Sequence, residues 1–350
     1  MHPGRIFSQK IKKGDEFIMN EHFIKNLQEK IYDGALIRRE EALELIHVPL
    51  EELTRTADEI RAHFCRNTFD LCTIVNGKCG KCSEDCKYCA QSAHYHTACE
   101  ESYGLLSTQE LLAQAREHAK RGVLRYSIVT SGKALSEKEV DQVCESIRAI
   151  RRETGIEVCV SFGLLKEEQF KKLKEAGASR VHCNLETSER FFPQVCTTHS
   201  FAEKKETLKA AKRAGLSLCS GGIMGLGETM EDRIDMVLTA RELGVKSIPV
   251  NLLNPIPGTP YEHNRILSND ELCRITAIFR FLLPDGMIRL AGGRGLIGDK
   301  GEKCFRSGAN AAISGDMLTT AGITVETDME LMKTLGYEVK LEDSGRDSER

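Results

Sequence analysis

Three cysteines are spaced so that they could hold one face of an iron-sulfur cluster. The thiols of Cys82, Cys86 and Cys89 follow a C-x3-C-x2-C pattern within the run Cys-Ser-Glu-Asp-Cys-Lys-Tyr-Cys. Three protein ligands leave one iron of a 4Fe-4S cluster open, and an open iron can bind a small molecule and pass an electron directly into it. The pattern therefore predicts a reaction centre, because a fully ligated cluster can only carry electrons.

This spacing resembles that of the radical S-adenosylmethionine (SAM) superfamily, in which the open iron binds the amino and carboxylate groups of SAM. An aromatic residue usually precedes the third cysteine there, and Tyr88 occupies that place.

With Cys79 the four thiols could instead hold structural zinc, but three residues between the two cysteine pairs are too few for a zinc ribbon. A ferredoxin run ends in Cys-Pro, whereas Cys89 is followed by Ala90. We interpret Cys79 as a bystander or a spare ligand.

The composition is typical of an enzyme from a reducing compartment. The 350 residues are 41% hydrophobic and carry a net charge of -3, which argues against a nucleic-acid partner. The first eighteen residues are polar and basic, so we expect no signal peptide, no membrane association and a cytoplasmic location. The 14 cysteines would then serve metal and not disulfides. Either Met1 or Met19 could be the start of the chain.

Short apolar strands alternate with amphipathic helices at a spacing of about thirty residues, which is typical of repeated βα units. Three of the helices begin with Ser-x-x-Glu capping boxes, at Ser107, Ser136 and Ser268. Eight such units close most simply into a (β/α)8 TIM barrel, an α/β fold with its active site at the carboxyl ends of the strands. The predicted strands are Leu71–Val75, Arg125–Thr130, Glu157–Phe162, Arg180–Leu185, Ser217–Ile223, Ser247–Leu253, Ile288–Ala291 and Ala309–Ser314.

The predicted domain organisation has three parts. Residues 67–340 form the barrel, and residues 341–350 form a charged, disordered tail. Residues 1–66 form an N-terminal helical extension that caps the barrel. Its apolar positions are Ile24, Leu27, Ile31 and Leu36.

Sulfur and charge occupy predicted strand positions where an ordinary barrel would have Val or Leu. Cys159, Cys183 and Cys219 lie on the third, fourth and fifth predicted strands, and Arg289 lies on the seventh. One buried cysteine is usually a core residue, but a buried guanidinium needs an anionic partner, which a thiolate-ligated cluster would supply. We therefore predict a second, auxiliary metal site. The cysteines interpreted as helix, loop or core thiols are Cys65, Cys72, Cys99, Cys144, Cys196, Cys273 and Cys304.

From about residue 40 to residue 340 the chain resembles the biotin synthase family. The motifs are Gly80-Lys-Cys-Ser-Glu-Asp-Cys-Lys-Tyr-Cys-Ala-Gln-Ser92, Cys219-Ser-Gly-Gly-Ile-Met-Gly-Leu-Gly-Glu228 and Gly258-Thr-Pro260. The resemblance implies a homodimeric TIM barrel with a 4Fe-4S radical cluster, an auxiliary iron-sulfur cluster of 2Fe-2S type or higher nuclearity, and an electron donor such as flavodoxin or ferredoxin. It implies that two SAM molecules are cleaved to 5′-deoxyadenosyl radicals, which take hydrogens from C9 and C6 of dethiobiotin. Sulfur from the auxiliary cluster then bridges the two carbons to form biotin.

The resemblance also implies residue roles. Ligands of the radical cluster are Cys82, Cys86 and Cys89, and three ligands of the auxiliary cluster are Cys159, Cys219 and Arg289. Positions that bind SAM are Arg125, Asn184, Glu186 and Lys204, together with Gly221 and Gly222, where the backbone can come close to the methionine end. Positions that hold the ureido ring of dethiobiotin are Asn184 and Asn251. A neutral urea suits amide partners, and a ribose diol suits a carboxylate.

Three positions depart from the family pattern. Ser127 stands where the first auxiliary cysteine is usual, and a serine is a poor ligand for a soft cluster. Cys183 is a new thiol on the fourth predicted strand. Lys204 replaces an arginine, so the charge stays but the bidentate fork is lost. We hypothesise that Cys183 replaces the missing ligand, although regular strand alternation would point it outward unless the strand bulges or ends there.

Two other functions remain as alternatives at this stage. A biotin-synthase-like radical enzyme could act on another substrate, as a hydrogenase maturase or a methylornithine synthase does. A non-catalytic electron-transfer or zinc-binding module would require ligation by four thiolates and would not cleave SAM.

Overall fold

The computed structural model describes residues 13–99 and 101–341, with side chains from residue 22 onward. Ten strands, all paired in parallel, form its centre. They are β1 Thr68–Lys78, β2 Arg125–Thr130, β3 Glu157–Ser161, β4 Ala178–His182, β5 Ser217–Cys219, β6 Gly222–Met224, β7 Ser247–Leu252, β8 Met287–Leu290, β9 Ala311–Ser314 and β10 Glu338–Val339.

The strands close into a barrel. Their order is β1-β2-β3-β4-β5-β7-β8-β9, and β9 pairs back with β1. The short β6 continues β5 along the wall and pairs with β7, while β10 adds to the outer edge of β1. Each of the eight predicted strands has its counterpart, so the predicted (β/α)8 TIM barrel is confirmed.

Helices alternate with the strands and cover the outside of the barrel. The capping boxes predicted at Ser107, Ser136 and Ser268 are confirmed, and Ser200 and Thr229 form two more with Glu203 and Asp232. The helices are α1 Lys13–Tyr32, α2 Arg39–Glu44, α3 Leu50–Cys65, α4 Thr108–Lys120, α5 Glu137–Thr154, α6 Glu167–Ala176, α7 Phe201–Arg213, α8 Met230–Leu243, α9 Asn269–Leu282, α10 Glu302–Phe305 and α11 Val325–Thr334.

Two strands are irregular near their carboxyl ends. β4 stops at His182, before the predicted end at Leu185, and Glu186, just beyond that predicted end, has a positive φ of 71° that a strand does not adopt. Pairing along the fifth barrel strand is interrupted at Ser220 and Gly221, between β5 and β6. Both irregular stretches lie at the carboxyl end of the barrel, where their backbone and side chains are not fixed by regular strand pairing.

The N-terminal helices join the outer layer of the molecule. α1 packs on α3, α3 packs on α9, and α2 lies against α8. Ile24, Leu27 and Ile31 are buried as predicted, but Leu36 lies beyond the end of α1 and is 56% exposed. The predicted tail falls almost wholly outside the described residues, as do the first twelve residues. Among the helices that the structure describes, none is long and apolar enough to cross a membrane.

Candidate active site

A cavity of about 400 Å³ opens at the carboxyl ends of the barrel strands. Cys82, Cys86 and Cys89 line it near the mouth, on the loop that follows β1. Cys159, Cys219 and Arg289 line the same cavity from within the strands. The two groups of residues that the sequence assigned to two metal sites therefore face one cavity.

Backbone hydrogen bonds hold the loop of residues 79–92, which we call the cluster loop. The N–H of Cys82 donates to the carbonyl of Gln91 at 2.9 Å, and the N–H of Gly132 donates to the sulfur of Cys82 at 3.2 Å. Burial raises the pKa of the Cys89 thiol to about 11. A metal site suits such a thiol, because metal binding compensates the cost of forming the thiolate.

Cys79 does not belong to this group of thiols. Its sulfur donates to the carbonyl of Glu101 at 3.4 Å, and it lines a second, separate pocket beside Lys78 and Tyr103. The four-thiolate arrangement that a zinc site would need is therefore not assembled among the cluster-loop cysteines.

A segment that follows β4 anchors the cluster loop. Asp85 accepts hydrogen bonds from the N–H groups of Thr197 and Thr198 at 2.8 and 3.1 Å, and the thiol of Cys196 donates to it at 3.1 Å. The ligand atoms of Cys86, Cys196 and His199 lie within 4.8 Å of one another. The sequence interpretation missed Cys196 and His199, because they are more than one hundred residues from the loop they contact.

Tyr88, Glu186 and Lys204 form the polar side of the mouth. The Tyr88 hydroxyl donates to one carboxylate oxygen of Glu186 at 2.9 Å, whereas the other oxygen of Glu186 is buried without a partner among the described residues. Burial opposes a charge on Lys204, but Cys183 and Glu186 raise the pKa of its ammonium group. A buried carboxylate oxygen with unused acceptor capacity suits a ligand that brings hydroxyl donors, as a ribose diol does.

Two asparagine amides hold the backbone around the cavity. The side-chain oxygen of Asn184 accepts from the Gly221 N–H at 3.1 Å. Asn251 donates to the Gly222 carbonyl at 3.0 Å and accepts from the Gly292 N–H at 2.9 Å. Each amide still has an unused donor or acceptor position that can face a ligand.

Packing of the barrel wall requires glycine at positions 221 and 222. A Cβ on Gly221 would lie 2.0 Å from the Pro249 carbonyl oxygen, and one on Gly222 would lie 2.2 Å from the Glu186 carbonyl oxygen. Close packing of the barrel wall therefore accounts for both glycines without reference to a ligand.

Deep in the barrel, three arginines surround one carboxylate. Arg289 donates to Asp70 at 2.7 Å, Arg125 donates to its other oxygen at 2.7 Å, and Arg180 lies 3.8 Å away. All four side chains are buried. The sequence analysis expected a thiolate-ligated cluster as the anionic partner of Arg289; among the described residues Asp70 is such a partner. The three guanidinium charges nevertheless exceed the one carboxylate charge.

Thiols of three strands lie in this positive field. Burial raises the pKa of the Cys219 thiol, but His182, Arg289 and Arg180 outweigh it and lower the pKa to about 7. A hydrogen bond from Cys72 lowers the pKa of Cys159, and Arg180 and Arg125 lower it further. We call this set the deep group; it comprises Asp70, Cys72, Arg125, Cys159, Arg180, His182, Cys219 and Arg289.

Several predicted residues are placed differently from the sequence interpretation. Arg125, predicted at the SAM site, lies with the deep group. Cys183 follows β4 and does not lie on it; its thiol borders the cavity near the charges of Lys204 and Glu186. Ser127 faces the cavity beside Cys159, its register partner on β3. Cys72, predicted as a core thiol, is instead a member of the deep group.

Family models divide the barrel into two matched regions. Residues 78–240 match the radical SAM superfamily, and residues 249–338 match the biotin and thiamin synthesis associated domain. The first region carries the cluster loop and the irregular ends of β4 and β5. The second carries Asn251 and Arg289.

Proteins with the name biotin synthase resemble the chain over nearly its whole length. The one from Brachyspira hyodysenteriae is 55% identical over 94% of this chain and 98% of that protein. The one from Akkermansia muciniphila is 57% identical over 90% and 98%. Biotin synthase 2 from Corynebacterium diphtheriae is 55% identical over 92% and 97%.

Solved structures with much lower sequence identity share the fold. A methylornithine synthase has a TM-score of 0.76 at 19% identity and covers 90% of this chain and 97% of its own. A maturase of the FeFe-hydrogenase has a TM-score of 0.77 at 17% identity and covers 93% and 79%. These similarities show the barrel fold and do not discriminate between substrates.

Proposed function

The chain belongs to the biotin synthase family of radical SAM enzymes, and on that premise we propose how its residues divide the work of sulfur insertion. The protein is an enzyme that forms biotin from dethiobiotin with a 4Fe-4S cluster and SAM. When bound, the cluster supplies the electron that cleaves SAM, which starts the removal of hydrogen from dethiobiotin. The chain's own residues bind and orient these partners and keep water away.

We propose Cys82, Cys86 and Cys89 as the ligands of the radical cluster. Their donor chemistry fits, because thiolates are the usual ligands of iron-sulfur clusters and all three line one cavity. SAM would lie beside them, with its ribose at the unpartnered oxygen of Glu186 and its adenine near Tyr88. Lys204 provides a positive charge at the same wall.

We further propose that Cys159 and Cys219, beside Arg289, hold an auxiliary cluster that supplies the sulfur. The observation that carries this proposal is the single cavity, which joins the cluster loop to the deep thiols. Dethiobiotin bound between the two would have a hydrogen-abstracting group on one side and a sulfur source on the other. Asn184 and Asn251 line the same cavity, and their amides suit its ureido ring.

Turnover in anaerobic solution tests this function. The purified protein, with its clusters reconstituted and reduced, is expected to convert dethiobiotin and SAM into biotin, 5′-deoxyadenosine and methionine. Mass spectrometry would measure all products. Formation of 5′-deoxyadenosine without biotin would contradict sulfur insertion and favour other radical chemistry on this fold.

Replacing Asn251 by alanine tests the substrate site. The variant is expected to weaken dethiobiotin binding by about 1–3 kcal/mol, because a buried hydrogen-bonding group of the ligand would lose its partner. Anaerobic calorimetry of the SAM-loaded protein would measure the affinity. Part of any loss would come through the backbone that Asn251 holds.

Asn264→Ala is the matched control for that effect. Asn264 also donates to a glycine carbonyl, that of Gly225, at 3.0 Å, but it does not line the cavity. We expect its dethiobiotin affinity to stay near that of the unchanged protein. Equal losses in both variants would mean that Asn251 acts through the backbone and not through the ligand.

The remaining partners are inferred from membership of the family. We propose a homodimer and a small reducing protein, flavodoxin or ferredoxin, as the electron donor. Sedimentation of the cluster-loaded protein would measure the first. Reduction of the radical cluster by each purified donor, followed by electron paramagnetic resonance, would measure the second.

A further inference from the structure

The deep group contains one more thiol than the sequence assigned to it. Cys72 lies on β1, is 6% exposed and lines the cavity. Its thiol and that of Cys159 line the same cavity, on either side of the intervening strand β2. On β2, Ser127 faces the same cavity beside Cys159 but offers only a hydroxyl.

We propose that Cys72 supplies the third thiolate of the auxiliary iron-sulfur cluster, in place of a thiol on β2. The inference rests on the proposed function, because it names a ligand of the cluster proposed there. It assigns the deep ligands to β1, β3 and β5 through Cys72, Cys159 and Cys219. Ser127 and Cys183 are then not ligands.

The thiol of Cys72 shares charged neighbours with the other two, Asp70 with Cys159 and Arg289 with Cys219. Arg289 lies close enough to act on the charge of Cys72 as well as on that of Cys219. Three guanidinium groups face one carboxylate at this level, so the deep group has positive charge left over. Thiolate ligands would neutralise that excess, and a buried positive group is costly unless it is neutralised.

Arg289 is held beside these thiols by its own hydrogen bonds. Its terminal nitrogens donate to the Asp70 carboxylate at 2.7 Å and to the carbonyls of Asp70 and Ala312 at 3.0 and 2.9 Å. An arginine side chain stays protonated in a protein, so its guanidinium supplies positive charge next to the Asp70 carboxylate and the deep thiols.

The surroundings of Cys183 differ from those of the deep thiols. The charges that act on it are those of Lys204 and Glu186, at the SAM side of the cavity. The preceding residue, His182, is the one that reaches the deep group, with its Nδ1 3.5 Å from the sulfur of Cys219. At the end of β4 it is therefore the imidazole of His182, and not the thiol of Cys183, that lies next to Cys219.

The test compares four single substitutions in the anaerobically reconstituted protein. Cys72→Ala, Ser127→Ala and Cys183→Ala probe the three candidates, and Cys144→Ala controls for loss of a buried thiol, because Cys144 lies on α5 outside the barrel. Iron and sulfide analysis with Mössbauer spectroscopy would count each cluster. The yield of 5′-deoxyadenosine would report the radical cluster separately.

We expect Cys72→Ala to lose the iron and sulfide of the auxiliary cluster while it keeps the radical-cluster spectrum and still cleaves SAM. The other three variants should keep both clusters. Full auxiliary content in Cys72→Ala, or its loss in Ser127→Ala or Cys183→Ala, would overturn the inference. If the unchanged protein held only the radical cluster and made no biotin, the proposed function would fail instead.

A second pair of variants tests the same ligand in case Cys72→Ala does not fold. Cys72→Ser keeps the size of the side chain and a hydroxyl donor toward the Thr73 carbonyl, which the thiol contacts at 3.3 Å. We expect it to lose the auxiliary cluster. Adding Ser127→Cys to that variant returns a thiol beside Cys159 and should restore the cluster; a double variant without auxiliary iron would contradict the exchange.

Discussion

Replacement of Cys82, Cys86 or Cys89 by alanine is expected to abolish 5′-deoxyadenosine formation. Each thiol lies on the cavity wall at the mouth of the barrel, and a cluster with only two protein ligands would be lost or would bind SAM wrongly. Anaerobic assay of 5′-deoxyadenosine, with iron analysis on the same samples, would measure the effect.

Cys79→Ala is the control within the same loop. Its thiol contacts the Glu101 carbonyl in a separate pocket, so we expect cluster content and 5′-deoxyadenosine formation to survive. A dead Cys79 variant together with stoichiometric zinc in the unchanged protein would contradict the radical-cluster assignment and support four-thiolate ligation.

Asp70→Asn is expected to cause the largest loss of stability. Asp70 is 1% exposed and carries the carboxylate that faces Arg125, Arg180 and Arg289. Removing its charge leaves three buried guanidinium groups without that counter-charge, and breaking a buried ion pair costs about 3–5 kcal/mol. Urea unfolding of the cluster-loaded protein, followed by circular dichroism, would measure the free energy of unfolding.

A surface ion pair provides the matched comparison. Asp235 also accepts two hydrogen bonds from an arginine, Arg39, at 2.6 and 3.0 Å, but both side chains are exposed to solvent. We expect Asp235→Asn to cost no more than about 1 kcal/mol. Similar losses for the two variants would show that Asp70 does not act through its burial among the arginines.

The sequence determined the parts of this protein that depend on neighbours in the chain. Capping boxes at Ser107, Ser136 and Ser268 and the alternation of apolar strands with helices predicted the eight βα units, because both signals are local. Spacing within eight residues also singled out the three thiols of the cluster loop, and all three line the cavity.

The tertiary structure decided which distant side chains meet inside the barrel. Asp70 falls one residue before the predicted first strand, so its role beneath Arg289 could not be seen in the sequence. Cys72 looked like an ordinary core thiol until the structure showed that it lines the same cavity as Cys159, two strands away. Cys183 was hypothesised to be a ligand although regular alternation would point it outward; in the structure it follows β4, which ends at His182.

The physical reason is the same in each case. Spacing along the chain sets the secondary structure and local loops, whereas the interior of a closed barrel depends on strand register, strand ends and the joint balance of buried charge. Those quantities arise only when all eight strands are paired. The sequence by itself therefore determined the fold and the radical-cluster loop, and only the tertiary structure brought Cys72, Cys159 and Cys219 together around one set of buried arginines.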